Sequence, residues 1–282
     1  RLRDVSLQHT EISTIGLEQL SAVQSIERLN LGHTLLGDNA LPILASLTNL
    51  RRLDMPSTLV DGSGLAALQA LPDLRELNLD SAPIANAGME KLAQLARLES
   101  LILRHTDVTD AGMPHFAALK NLKRLDLTSL DITEKGVAAL APLTTLEDLD
   151  LSFTRSAEAG LEVITQLTGL KRLGLEQTSI TDAGMAWVAR LPKLEALNLN
   201  YTPVTDAGFA LLSANKSFTE LKLDRTDLTD KSLEWLTGQP NLKYLDIYHT
   251  LVSDQGYSTL KKALPKADIN WSLDAARTRR RT

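Results

Sequence analysis

Apolar and polar positions alternate along this chain in two rhythms that follow one another at a fixed interval. Residues 26–34, 98–106 and 194–202 each read LxxLxLxxT, with Ile26, Leu29, Leu31 and Thr34 as one instance. Strict alternation over so few residues predicts a short strand with one buried face. The stretch that follows, residues 108–119 for example, places a Thr and an Asp before apolar residues at helical spacing. That order predicts a short helix, with a capping oxygen and a carboxylate for the free amides at its start. The leading apolar residue of the strand motif stands at 2, 26, 50, 74, 98, 122, 146, 170, 194, 218 and 242, always 24 residues apart. A twelfth strand is predicted at Ile269 and Trp271, in the same register.

A unit of 24 residues cannot bury its apolar stripe alone, so stacked units must share one aliphatic core. The prediction is a single domain over 1–274, with 275–282 as a basic tail carrying Arg277, Arg279, Arg280 and Arg281. Leu7, Leu31, Leu79, Leu103 and Leu127 are predicted to point inward from the strands. Ile84, Val108 and Ile132 should do so from the turns, and Leu68, Leu92 and Phe116 from the helices. A threonine column (Thr34, Thr58, Thr106, Thr154 and others) is expected to bridge backbone groups of successive turns through its hydroxyls. A column of glycines, replaced by Ala40 and Ser232, reads as a demand for small size where backbones approach. Ser156 stands where other units hold a buried aliphatic, from drift or as part of a local site with Phe153 and Arg155. Trp271 falls in an inward slot of the final strand and is expected to lid the core. No polar cap precedes Leu2, so exposed aliphatics are expected at that end. With Arg1 as first residue, this reads as a processed form or excised fragment.

The LxxLxLxxT half followed by Ile180-Thr-Asp-Ala-Gly184 or Val204-Thr-Asp-Ala-Gly208 resembles the leucine-rich repeat family over almost the whole chain. It is similar to helix-bearing repeats of bacterial proteins, including plant-pathogen secreted effectors, and of F-box adaptors. The resemblance implies an α/β solenoid, a curved horseshoe with parallel strands on the concave face and helices on the convex face. It also implies recognition of a partner protein.

Composition narrows the function further. The chain has no cysteine, which removes disulfides, thiolate metal sites and cysteine nucleophiles. A net charge of −5 argues against nucleic acid, whose phosphates need clustered cations. No run approaches the roughly 18 apolar residues of a membrane span. The chain reads as soluble, and as secreted if it belongs to an effector, though nothing in it fixes a compartment. Phosphate-loop, dinucleotide, zinc-protease and nucleophile-elbow motifs are absent, so no catalytic residue, cofactor or metal site is expected. His9 and His33 are the one adjacent histidine pair, without a fixed acidic partner.

Function should therefore lie on the surface. The third, fifth, seventh and eighth positions of the strand motif carry eleven acidic and seven basic residues, a mixed face that ladders of surface ion pairs would explain. Its aromatic content gathers late. Tyr201, Arg225, Tyr244, Tyr248 and His249 are the candidate partner-binding residues, because neighbouring Tyr and Arg on an open face are the composition of a hot spot. The competing explanation is that the last units need bulk to close the solenoid. On the helical side Trp187, Leu211 and Trp235, together with Val163, would form an apolar ridge. Such a ridge would serve a flanking domain or weak self-association, unless the helices roll and tuck the tryptophans between neighbours. Two alternatives accompany the interaction-module reading. One is the substrate-selecting part of a larger ligase or transferase. The other is a cell-surface or periplasmic binder of glycan or peptide.

Overall fold

Leu29, Leu53, Leu77, Leu101 and Leu125 sit at the centres of three-residue strands and are buried from water. In the computed structural model, which describes residues 2–156 and 158–274, the chain divides into two compact units, Arg1–Leu146 and Glu147–Thr282. The first holds β1 (Asp4–Ser6), β2 (Arg28–Asn30), β3 (Arg52–Asp54), β4 (Glu76–Asn78), β5 (Ser100–Ile102) and β6 (Arg124–Asp126). The second holds β7 (Asp148–Asp150), β8 (Arg172–Gly174), β9 (Ala196–Asn198), β10 (Glu220–Lys222), β11 (Tyr244–Asp246) and β12 (Asp268–Asn270). Within each unit the strands pair in parallel, in chain order, each residue with the one 24 further on. The fold is the expected α/β solenoid, with strands on one face of each unit and helical segments on the other. The predicted tail lies outside the described residues.

The leading residues Ile26 to Leu242 are all buried, as are the inward leucines Leu31, Leu79, Leu103 and Leu127. In the first repeat, by contrast, Leu2 is 52% exposed and Ile15 70%. Trp271 is half-buried, as a lid would be. Its indole N–H donates to the Val252 carbonyl at 3.2 Å and its ring stacks on Tyr257 at 4.5 Å. Ser156 is fully buried, and its hydroxyl is satisfied by that of Thr154 at 2.9 Å.

Three features differ from the sequence expectation. The threonine hydroxyls do not bridge successive turns. Each donates to the carbonyl three residues back in its own repeat, Thr34 to Leu31 at 2.7 Å and Thr106 to Leu103 at 2.8 Å. The helical half is not uniformly α. Thr133 and Thr181, in extended conformation, cap the α-helices Glu134–Ala138 and Asp182–Val188, whereas Thr229, capping in the same way, leads into a 3-10 turn, Asp230–Ser232. Leu65–Ala70 and Met113–Ala118, entered from Gly64 and Gly112 without a side-chain cap, are 3-10 turns as well.

The third difference concerns the aspartates before the glycine column. They serve the next repeat rather than their own helix. Asp110 accepts from the Thr133 amide at 2.8 Å and hydroxyl at 2.6 Å, and Asp206 from those of Thr229 at 3.0 and 2.6 Å. A small residue is needed opposite them. A Cβ on Gly112 would lie 2.6 Å from the side-chain oxygen of Asn86, and one on Gly136, Gly208 or Gly256 would press on the preceding repeat's aspartate. Ser232 fits the column because its hydroxyl donates to Asp206 at 2.6 Å.

A further regularity has no glycine to announce it. The eighth residue of every strand motif from His9 to His249 has a left-handed backbone, with φ between 50° and 61°. There the chain turns off the strand while the residue's N–H reaches the next repeat, as His33 does to Pro56 at 2.8 Å. A non-glycine residue in this region costs about 1–2 kcal/mol. Glycine removes that cost and restores part of it as unfolded-state entropy. Ser129→Gly is therefore expected to stabilise the protein by roughly 0.5–1 kcal/mol. A higher urea midpoint at unchanged slope is the check, and an unchanged or lower midpoint contradicts it.

Candidate functional site

The strand face of the second unit is built from the odd positions of β7–β12. Its fifth-position side chains are partly committed to the backbone. Asp150 accepts from the Ser152 amide at 2.9 Å, Asn198 from Asn200 at 3.1 Å and Asp246 from Tyr248 at 3.1 Å. These carboxylates and amides fix the exit of each strand, a role their spacing had not suggested. The third, fifth, seventh and eighth positions of this unit are acidic at Asp148, Asp150, Glu176, Glu220, Asp224, Asp246 and Asp268, and basic at Arg172, Lys222 and Arg225. So the mixed character of the whole chain's strand face does not hold locally. Arg172 reaches over Ala196 to Glu220 at 3.1 Å, and Lys222 meets the same carboxylate at 3.2 Å.

The five sequence-selected residues fall in three adjacent repeats of this unit. The Arg225 guanidinium lies over the Tyr201 ring, 5.2 Å from its centroid. The Tyr248 and His249 rings meet edge-on at 4.0 Å, and the Arg225 amide donates to the Tyr248 carbonyl at 3.1 Å. Tyr201 is 46% exposed, Arg225 is exposed, and Tyr244, Tyr248 and His249 are half-buried. Tyr201, Arg225 and His249 share the left-handed position, which throws their side chains outward at the strand exit. The same conformation recurs at this position in every repeat and belongs to the fold; what sets these three apart from Ser57, Ser81 and Ser129 is the size of the side chain carried there.

Two acidic groups belong to this cluster and were not singled out by sequence. Asp224 is buried, and its carboxylate meets His249 Nδ1 at 3.0 Å, repeating the Asp80–His105 pair at 3.2 Å. Asp246 is half-buried. Burial pushes its carboxyl above the ordinary value and the charge of Asp224 adds to this, against the opposing pull of the Tyr248 amide. Burial also raises the Tyr244 hydroxyl, helped by Asp246, Asp268 and Glu220. Glu220 goes the other way: burial pushes it up, but its hydrogen bonds from Lys222 and Arg172 outweigh that and hold it low. The signal for Asp224 was its place 25 residues before a histidine, legible only once the repeat-to-repeat geometry is known.

The helical side does not carry the ridge expected of it. Trp235 is only 7% exposed, because Phe209 stacks on it at 5.5 Å and Phe218 meets it edge-on at 6.1 Å. Trp187 is half-buried under the Arg190 guanidinium at 4.6 Å, and Leu211 alone of the three is well exposed, at 47%. Trp235→Glu is expected to cost at least about 3–5 kcal/mol, since it removes a large core side chain and buries a carboxylate. Trp187→Glu should stay within about 1 kcal/mol, as surface changes do. Thermal melts of both variants decide this, and equal losses would refute the assignment.

His9 and His33 stack at 4.2 Å, and no group of three or more potential metal ligands occurs among the described residues. No helix among them is long and apolar enough to cross a membrane.

Residues 70–93 and 118–141 match the family model described as Leucine Rich repeat. No curated protein matches the chain. Among solved structures it is similar to an internalin from Listeria monocytogenes str. 4b F2365, with 21% identity and a TM-score of 0.62, covering 95% of this chain and 85% of that one. An internalin C2 from the same strain gives 23% identity and a TM-score of 0.60, over 75% of this chain and 84% of that one. The plant peptide hormone receptor RGFR1, in complex with RGF2, gives 16% identity and a TM-score of 0.54, over 96% of this chain and 48% of that one. At these identities the likeness is one of fold.

Proposed function

We propose, starting from a chain that belongs to the leucine-rich repeat family, that it is a binding module for a partner protein, which docks on the strand face of the second unit. The observation that carries this is the gathering of Tyr201, Arg225, Tyr244, Tyr248 and His249 on three adjacent repeats. There two aromatic contacts hold four of the side chains in place, with Tyr201 and Arg225 exposed and Tyr248 and His249 half-buried. Pre-positioned Tyr and Arg lose little entropy on binding, which is why they dominate hot spots. Asp224 and Asp246 beside them offer acceptors, so the partner surface is one that brings hydrogen-bond donors or cationic groups. A fold of this kind is seen in a peptide hormone receptor in complex with RGF2, and that supports capture of a polypeptide.

The finer assignment, to the recognition domain of a bacterial effector, rests on the resemblance of the Val204-Thr-Asp-Ala-Gly208 half repeat. Two of the similar solved structures are proteins of Listeria monocytogenes, which supports this reading. A glycan reader would present tryptophans on the strand face, whereas Trp187 and Trp235 lie in the helical half.

The test is a pair of substitutions. Tyr248→Ala and Arg225→Ala should each weaken partner capture by about 2 kcal/mol or more, roughly thirtyfold, with melting temperature almost unchanged. A photoreactive residue at position 248 should cross-link the partner, and one at Leu211 should not. Retained binding in the double variant would remove the site from this face.

A further inference from the structure

The first unit contains a crevice of about 280 Å³ that no part of the proposed function uses. Its floor is Leu68, Leu71, Leu74, Leu95 and Leu98, all buried, and Arg97 stands at its side. The residue preceding the leading leucine normally ties its loop to the repeat before. Asn49 donates to the Gln24 carbonyl at 2.7 Å, Asn121 to Ala96 at 2.8 Å and Thr145 to Lys120 at 2.8 Å. At this place alone in that series a long side chain does the work: Arg97 donates one Nη1 N–H to the Pro72 carbonyl at 3.1 Å. A hydrogen bond between the Gln69 and Gln94 side chains, at 2.6 Å, bounds the crevice elsewhere.

The charge of Arg97 is answered by no carboxylate among the described residues. The nearest in sequence, Glu99, is engaged by Lys123 at 2.7 Å and Arg75 at 3.8 Å, and Asp73 in the preceding repeat faces Arg75 at 3.6 Å. Arg75 also shares the Pro72 carbonyl. Arg97 is exposed and keeps further N–H donors in a planar fork that matches a carboxylate. An apolar floor beside a guanidinium of this kind has one complementary ligand class. We propose that this crevice binds a small aliphatic carboxylate, its chain over the five leucines and its head group on Arg97. The volume lies just below the usual range of ligand pockets, about 300–1,000 Å³, which selects a medium-length chain over a long lipid. A free acid and the carboxyl end of a protein terminating in leucine present the same chemistry.

Octanoate is the probe, titrated against the full chain with its leucine methyls labelled for NMR. Shifts should centre on Leu68, Leu71, Leu74, Leu95 and Leu98. Affinity should rise roughly fourfold per methylene from hexanoate to octanoate, and 1-octanol should bind at least tenfold more weakly. Arg97→Asn supplies the residue found at the equivalent places 49 and 121. It should keep the loop bond and the melting temperature while erasing the preference for octanoate over octanol. Should that variant fail to fold, the comparison of the two ligands on the unaltered protein still decides. A free-acid peptide ending in leucine that displaces octanoate, when its amide does not, assigns the site to a protein terminus. Its failure while octanoate binds assigns the site to free acids. Equal binding of octanoate and octanol, a preference that survives in Arg97→Asn, or methyl shifts elsewhere overturns the proposal.

Discussion

Truncating Leu127 to alanine should lower stability by about 2–5 kcal/mol, and Leu103→Ala by a similar amount. Both side chains are fully buried in the first unit, on the residue that follows the strand and points into the aliphatic core. The lost methyl groups forfeit their transfer free energy and leave a cavity. Neighbours cannot fill it, because parallel strands on one side and the helical layer on the other hold the repeat spacing. Thr106→Val is the contrasting case. It leaves volume almost constant and removes the hydroxyl that donates to the Leu103 carbonyl at 2.8 Å, so about 1–3 kcal/mol is expected. Urea midpoints separate the two mechanisms. If both leucine variants unfolded with the parent, these side chains would not be filling the core.

Asp110 and Gly136 should behave as one device. Asp110→Ala leaves the Thr133 amide and hydroxyl without their acceptor, and Gly136→Ala pushes a methyl into the place of the same carboxylate. Each should cost about 2–3 kcal/mol, near the value of a hydrogen bond to a charged group. For Gly136→Ala this exceeds the roughly 0.5–1 kcal/mol that alanine gains over glycine in a helix. The double variant should cost little more than the worse single one, because both changes break the same contact.

The device also sets a pH dependence. Burial pushes the Asp110 carboxyl up. The bonds from Thr133 and the Gly136 amide, with Lys135 nearby, outweigh this and hold it below its ordinary value. A depressed carboxyl contributes stability that is present above the ordinary aspartate pKa and lost as pH falls through the folded value. Asp110→Asn should therefore be less stable near neutrality and flatten the acid side of the stability profile. An acid limb as steep as the parent's would show that Asp110 does not contribute to it. Additive costs in the double variant would show that the glycine and the aspartate act separately.

Much of the molecule was legible because its strongest interactions fall within one period. The spacing of Ile26, Leu29 and Leu31 fixed the strand and the side that is buried, since an extended chain must alternate. The interval of 24 fixed the number of strands and their parallel order. Tyr244 and Tyr248 could be placed on the strand face by counting alone, and Tyr201, Arg225 and His249 in one column beside it, although the outward direction of that column comes from its left-handed turn.

What tertiary structure decided lies between repeats, where distance along the chain says nothing of reach. The capping pattern read the Asp110 carboxylate as belonging to its own helix, yet it belongs to Thr133, 23 residues on. Trp235 stood at an outward helical position, but Phe209 and Phe218 close over it from the preceding helical turn and the strand lead-in, so it is core. The eighth position gave no glycine to mark its left-handed turn. That conformation is imposed by the N–H that must reach the next repeat, and the packing of whole repeats outweighs the local preference of each residue.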